Sequence, residues 1–389
     1  MRYKLLGKSG LRVSELCLGT MTFMEGLSWG ASRQENRQIF DEFMAAGGNF
    51  IDTANSYGTS EEYLGEFMGG DRDRVVIGTK YTGRFVGSNL PKDANGAGNH
   101  RKNMVQSVEA SLKRLKTDYL DLLWVHAWDF MTPVEEVMRG LDDLVRRGKV
   151  HYVGISNVPA WVAAQANMLA DLRGWTPFIG LQVEYNLIQR DAERELLPMA
   201  RALELGVTAW TPLASGWLTG KYSRNVPPRL RNNMAGPKRL DDLTAAAFVR
   251  RTARNVAIVE EVIRISTELG STPAHVALNW LRQQGMIPIM GVRKVEQLKE
   301  NLACLSFELS EQQMRRLDEA SRIELGYPHD FLATGMVRQH IYGGMFDLID
   351  SHRSSKMLVS NRTATASTRS RKDAEAEKES EDYLEEFVN

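Results

Sequence analysis

The chain has 389 residues, 43% hydrophobic and 25% charged, with 49 Lys plus Arg against 49 Asp plus Glu. That is ordinary globular composition, and zero formal charge gives no sign of nucleic acid or an anionic membrane surface as partner. No uninterrupted apolar run is long enough to span a bilayer, and the opening MRYKLLGKSGLRVSEL has no apolar signal region. Two cysteines, Cys17 and Cys304, sit far apart in apolar surroundings, and no CxxC or Cys/His spacing suggests a metal. A reduced, cytoplasmic enzyme is the expectation; the NRT at 361–363 means nothing without a secretory signal.

In chain order, YKLLGKSGLRVSEL reads as a hairpin turning at Lys8-Ser9-Gly10, placed ahead of the first strand where it would cover the lower mouth of a barrel. Eight short apolar runs follow: 16–20 (LCLGT), 49–52 (NFID), 74–80 (RVVIGTK), 119–126 (YLDLLWVH), 150–155 (VHYVGI), 178–183 (FIGLQV), 207–211 (VTAWT) and 286–290 (MIPIM). Helical periodicity fills the gaps between them. In NMVQSVEASLKRLKT, for example, Val105, Val108, Leu112 and Leu115 recur at three- and four-residue steps and predict one buried stripe. Ser32 and Ser60 stand in capping positions with acidic residues in the next turn. Gly148 and Gly206 close helices before the next strand.

Alternating strands and helices with near-continuous apolar strands predict a parallel sheet covered by helices. Eight units are the number that closes into a (β/α)8 TIM barrel. Two long loops interrupt the regularity: a Gly/Asn-rich segment at 82–102, and a Pro/Gly/Arg-rich one at 212–243 after the seventh strand, followed by a helix at about 245–269. Loops of that length in compact domains are usually functional or disordered. The barrel domain is expected over 1–348. Residues 349–389 are polar, basic then acidic, and too poor in apolar residues for a core, so they read as a disordered tail with at most a marginal helix from about 373. A docking segment is the other reading of that tail.

The stretch FIDTANSYGTSEEYLGE ends an apolar run in Asp52 and sets Tyr57 five residues later among small polar residues. A lone Asp or Tyr there is commonly turn chemistry. However, Asp52, Lys80 and His126 finish three consecutive strands, and C-terminal strand ends ring one mouth of such a barrel. Together with Tyr57 they make a proton-donor set. A free phenol, with a pKa near 10, is a poor acid at neutral pH, and lowering it by about three units takes about 4 kcal/mol. An ammonium roughly 4 Å away supplies about that much at an effective dielectric near 20. Asp52 would keep Lys80 charged against burial. Tyr57 is then the general acid, Lys80 its tuner, and His126 orients the substrate oxygen or assists the proton. No GxSxG, phosphate-gripping GxxxxGK[ST] or Rossmann GxGxxG accompanies them.

The stretches GLRVSELCLGTM, FIDTANSYGTSE, VVIGTK, SLKRLKTDYLDLLWVH, GKVHYVGISN, LQVEYNLIQR, AWTPLASGWLTGKY and GVRKVEQLKEN resemble, in order and spacing, the aldo-keto reductase superfamily over nearly all of residues 1–322. The resemblance is to its aryl-alcohol-dehydrogenase-like and potassium-channel β-subunit-like branch. It implies NADPH-dependent reduction of a small aldehyde or ketone, aromatic ones included. It also implies that the family's Asp–Tyr–Lys–His tetrad falls on Asp52, Tyr57, Lys80 and His126. Ser156, Asn157 and Gln182 match the residues that hold the nicotinamide carboxamide, and Trp210 the aromatic stacked on the ring. Leu213, Ser215, Gly216, Leu218 and Lys221 match the pyrophosphate strap. Gly291, Arg293, Gln297, Glu300 and Asn301 match the segment gripping the 2′-phosphate and adenine. The usual Lys-Ser or Lys-Thr pair and later Arg are absent from GVRKVEQ, which leaves Arg293 most of the phosphate contact. Met290 stands where a Pro is common. His126 is followed by Ala-Trp rather than Trp-Pro, so the substrate pocket is read from this chain alone, with Trp29, Phe85, Trp128 and Phe130 as aromatic candidates. Two other functions stay open: a cofactor-binding regulatory subunit of the same fold, and a barrel lyase with Lys80 as a Schiff-base lysine.

Overall fold

All eight apolar runs form strands in the computed structural model, which describes residues 1–24, 30–84, 92–222 and 252–350. A hairpin of β1 (Tyr3–Leu5) and β2 (Arg12–Ser14) precedes β3 (Cys17–Gly19), β4 (Phe50–Asp52), β5 (Val76–Tyr81), β6 (Leu120–Val125), β7 (Val150–Ser156), β8 (Phe178–Glu184), β9 (Gly206–Trp210) and β10 (Ile287–Gly291). Strands β3 to β10 pair in parallel with their sequence neighbours, and β10 returns to β3, which closes an eight-stranded barrel. Helices lie between successive strands, as the alternating pattern predicts.

Two apolar layers follow from the two-residue period of a strand. On β6, Leu123 and Val125 face the helices, whereas Leu122 and Trp124 belong to the interior cluster with Phe50 and Val76. Trp124 fills the barrel axis, and three strands give way to it. A Cβ on Gly78, Gly154 or Gly180 would sit within 2.8 Å of the indole. Glycine inside a strand often marks such a close approach.

The hairpin covers the lower mouth. Leu6 and Val13 are fully buried in the interior cluster. Gly7 adopts φ +57°, and a Cβ there would lie 2.1 Å from the carbonyl oxygen of Ile179 and 2.6 Å from the amide of Gly206.

Local readings need correction at three points. Met104, not Val105, joins Val108, Leu112 and Leu115 in the buried stripe of the helix Arg101–Leu115. Ser32 caps its helix through the amide of Glu35, but Ser60 is already helical and its hydroxyl is turned into the protein. Gly206 starts β9 rather than ending a helix; Glu204 takes the left-handed turn (φ 53°), and Gly206 is small because the hairpin presses on it.

The expected helix at 245–269 is observed as Ala253–Glu268; its first residues and most of the loop at 212–243 lie outside the described residues. The compact unit holding the barrel runs Met1–Leu325, and a second unit starts at Gly326, where His329–Ala333 and Gly335–Ile341 are short helices. Of the expected tail, all but residues 349 and 350 lie outside the described residues. No helix among those described is long and apolar enough to cross a membrane.

Candidate active site at the C-terminal mouth of the barrel

The strand period decides which side chains reach the interior. With Phe50 and Val76 pointing inward, Asp52 and Lys80 must do the same at the tops of β4 and β5. On β8 a bulge opposite Val153 and Gly154 restores the inward phase, so that Gly180 and Gln182 face the axis. Three distant segments are thereby aimed at one point.

They meet in a buried, hydrogen-bonded cluster. Lys80 is 1% exposed; its Nζ donates to Asp52 Oδ2 at 2.6 Å, to the Thr53 carbonyl at 2.7 Å and to Tyr57 Oη at 3.4 Å. Gln182 Nε2 donates to the other oxygen of Asp52 at 2.8 Å. The neighbouring carboxylate can only accept, which fixes the amide orientation. Burial alone would lower the Lys80 pKa, but the charges of Asp52 and Tyr57 outweigh it, so the ammonium is held above its ordinary value. The Lys80 charge also lies 4.8 Å from the centre of the Tyr57 ring.

His126 follows β6, and its ring meets that of Tyr57 edge-on, with centroids 5.9 Å apart and planes at 80°. Burial, and then the charge of Lys80, depress its pKa to about 3. The imidazole is therefore neutral near pH 7 and carries one N–H donor. Its backbone is tied to β7: Asn157 Nδ2 donates to the His126 carbonyl at 2.8 Å, and the amide of Trp128 donates to the carbonyl of Asn157 at 3.2 Å. Asn157 takes a left-handed φ of 47°, a conformation asparagine tolerates better than most residues.

The cofactor candidates continue around the rim from β7 to β10. Ser156 is fully buried at the end of β7, and its Oγ has no hydrogen-bond partner among the described residues. Trp210 ends β9 opposite Glu184 and packs against the interior cluster. Beyond it, Ala214, Ser215 and Gly216 are all left-handed, and the Lys221 side chain lies where a Cβ on Gly216 would go. Leu218 is fully buried and Leu213 packs on the outer core, so both anchor this segment with their side chains. At the end of β10, Gly291 is exposed, the amide of Arg293 donates to Gln297 Oε1 at 2.9 Å, and that of Val295 donates to Glu35 Oε1 at 2.7 Å. The Glu300 carbonyl is bonded to the ring of His275, and Asn301 is buried in the same helix.

Of the aromatic pocket candidates, Trp29 and Phe85 lie outside the described residues. Trp128 is half-buried against the outer core, whereas Phe130 is left-handed (φ 58°) and 71% exposed. Their loop is clasped by Asp129, which accepts from the amides of Asn99, Met131 and Thr132. Both thiols are buried and free; burial holds Cys17 well above its ordinary pKa and pushes Cys304 up to about 12. No group of acidic, His and Cys residues among those described is set for a metal ion.

A model of the aldo/keto reductase family matches residues 15–322. The chain belongs to that family. A norsolorinic acid reductase of Aspergillus flavus is 37% identical over 341 residues, 84% of this chain and 83% of its own length. A putative aryl-alcohol dehydrogenase of Saccharomyces cerevisiae, AAD14, is 35% identical over 350 residues, 85% of this chain and 89% of its own. The norsolorinic acid reductase stcV of Emericella nidulans is 39% identical over 345 residues, covering 83% and 82%. This aldo/keto reductase is accordingly an oxidoreductase. Sequence reading missed Thr20, Thr53, Ser60, Glu61 and Asn99, the residues that brace the site. For Thr53 and Ser60 the only signal was a density of hydroxyls in FIDTANSYGTSE, which a turn would also produce; Thr20, Glu61 and Asn99 gave none.

Proposed function

We propose that this protein reduces aldehydes or ketones, aromatic ones among them, to alcohols at the expense of NADPH, with Tyr57 as the proton donor. The observation that carries the reading is the bonding of Lys80. A buried ammonium shared by Asp52, the Thr53 carbonyl and Tyr57 Oη is a device for stabilising a phenolate. At 3.4 Å and an effective dielectric near 20 the attraction is roughly 5 kcal/mol before screening at the open mouth. Asp52 and Gln182 keep the charge on Lys80 rather than touching substrate.

The cofactor fits the donors that are present. The unpartnered, buried Ser156 Oγ offers a polar partner for a carboxamide, Trp210 offers a ring face, and Arg293 and Lys221 offer cations for phosphates. When bound, NADPH supplies the hydride. The chain's residues do the rest. The neutral His126 donates a hydrogen bond to the carbonyl oxygen and orients it. Tyr57 Oη gives that oxygen its proton as negative charge develops there, and the resulting phenolate, held by Lys80, is reprotonated from solvent. Relatives named for norsolorinic acid and for aryl alcohols support aromatic substrates.

Tyr57→Phe removes the donor and almost no surface. Its turnover with a panel of aromatic aldehydes should fall at least about a hundredfold, with NADPH affinity within about a factor of two of wild type. Retention of a tenth or more of the rate would reject Tyr57 as the donor. A wild-type protein that binds NADPH and turns over no carbonyl would favour a regulatory role instead.

A further inference from the structure

Ser60 stands at the first helical position after the Tyr57 turn, behind the N-cap residue Thr59, and its hydroxyl is turned to other side chains. It is fully buried and bonded in two directions, to Thr20 Oγ1 at 2.7 Å and to Thr53 Oγ1 at 2.9 Å. Thr20 and Thr53 are fully buried as well. A hydroxyl has one proton to give, so the directions are determined. Thr20 gives its proton to the Asp52 carbonyl at 2.9 Å, Ser60 gives to Thr20, and Thr53 must give to Ser60. The chain is closed, since the Asp52 carbonyl also accepts the amide of Thr20 at 2.9 Å.

The backbone at each end of the Thr53–Ser60 bond belongs to the proton-donor pair. The Thr53 carbonyl accepts from Lys80 Nζ at 2.7 Å. The amide of Ser60 donates to the Tyr57 carbonyl at 2.9 Å, and the amide of Tyr57 to the Ala54 carbonyl at 3.0 Å. The bond between the two hydroxyls is therefore the short tie between the residue that holds the ammonium and the turn that carries the phenol. Glu61 reinforces the same helix start by accepting from Thr79 Oγ1, next to Lys80, at 2.6 Å. None of the three hydroxyls can reach a substrate.

We propose that Thr53, Ser60 and Thr20 are positioning residues whose directed hydroxyl chain sets the Tyr57–Lys80 separation, and through it the acidity of the donor. The proposal rests on the Tyr57–Lys80 reading above. Lengthening that separation weakens the hold of the ammonium on the phenolate. The phenol then keeps its proton to higher pH and gives it up less readily. Loss of the tie thus lowers the rate and moves the alkaline limb of the pH profile upward.

The test uses Thr53→Val and Ser60→Ala, with Thr53→Ser as the conservative variant and Tyr57→Phe as the reference. Steady-state kinetics with NADPH and nitrobenzaldehyde would be followed from about pH 6 to about pH 10, with Tm and NADPH Kd measured for each protein. We expect kcat to fall by about ten- to hundredfold in Thr53→Val and Ser60→Ala, as small misplacements at a reacting centre do. The alkaline limb should rise by roughly half to one pH unit, NADPH Kd should stay within about a factor of two, and Thr53→Ser should recover most of the rate. If Ser60→Ala does not fold, Thr20→Val breaks the chain at its other end and is read in the same way. Variants that lose only Tm, with kcat per folded molecule and pH limb unchanged, overturn the proposal while a dead Tyr57→Phe leaves the donor intact. An active Tyr57→Phe overturns the donor assignment and this proposal with it.

Discussion

Two backbone amides at the end of β10 bear on how an adenosine 2′-phosphate would be read. A helix N-terminus normally offers free N–H groups to an anion. Here the amide of Arg293 is taken by Gln297 and that of Val295 by the carboxylate of Glu35. Those two amides are not free for a phosphate, and Arg293 carries a planar fork of donors suited to one. We expect Arg293→Ala to weaken NADPH binding by roughly 1.5–3 kcal/mol, the range for a hydrogen bond to a charged group, and to leave NADH affinity nearly unchanged. Titration of both cofactors by tryptophan fluorescence would measure it. Equal losses would mean that Arg293 holds the segment together, with Lys294 or Lys221 reading the phosphate. At this scale the strand-end placement of Asp52, Lys80 and His126 was legible, because an ionisable group closing an apolar run is conspicuous, whereas Gln182, inside its run, came only with the family resemblance. The bracing residues were not. Thr53 and Ser60 are as common in turns as in networks, and only the fold shows which hydroxyl faces which.

Among the elements, β6 organises the barrel through one side chain. Trp124 lies fully buried on the axis, with Gly78, Gly154 and Gly180 of β5, β7 and β8 packed against its ring. A Cβ at Gly154 would come within 2.4 Å of the indole, a distance that forces a shift in a filled interior. Gly154→Ala should therefore cost about 1–3 kcal/mol of stability, the usual penalty of overpacking, measured by denaturant unfolding. Adding Trp124→Leu should return part of that loss, because two residues in contact are not additive. Two equally destabilised single variants whose effects simply sum would argue against the packing account. The eight strands were legible because parallel strands buried on both faces read as continuous apolar runs. The identity of the helix-ending residue before β9 was not. Gly206 looks like a helix stop in sequence, but the constraint on it is the hairpin across the lower mouth, a contact with residues two hundred positions away.

For the whole molecule, the question is where the folding unit ends. The family match stops at residue 322 and the compact barrel unit at Leu325, whose carbonyl, like that of Glu324, accepts from the Arg194 guanidinium. Every side chain assigned above to catalysis or cofactor binding lies before that point. The sequence from 351 onward, SHRSSKMLVSNRTATASTRSRKDAEAEKESEDYLEEFVN, has few large apolar residues to offset the entropy of ordering some forty positions. A protein truncated after Asp350 should then keep its Tm within about 2 °C of the full chain, since even 1 kcal/mol shifts a domain of this size by only about 2–4 °C. Its kcat and NADPH Kd should also be unchanged, because no group in the proposed site is removed. Differential scanning calorimetry and steady-state kinetics on the two proteins settle the matter together. A large drop in Tm would assign the segment to the folded core. An unchanged Tm with an altered KM would assign it to the barrel mouth, and would make the tail a determinant of which carbonyls enter.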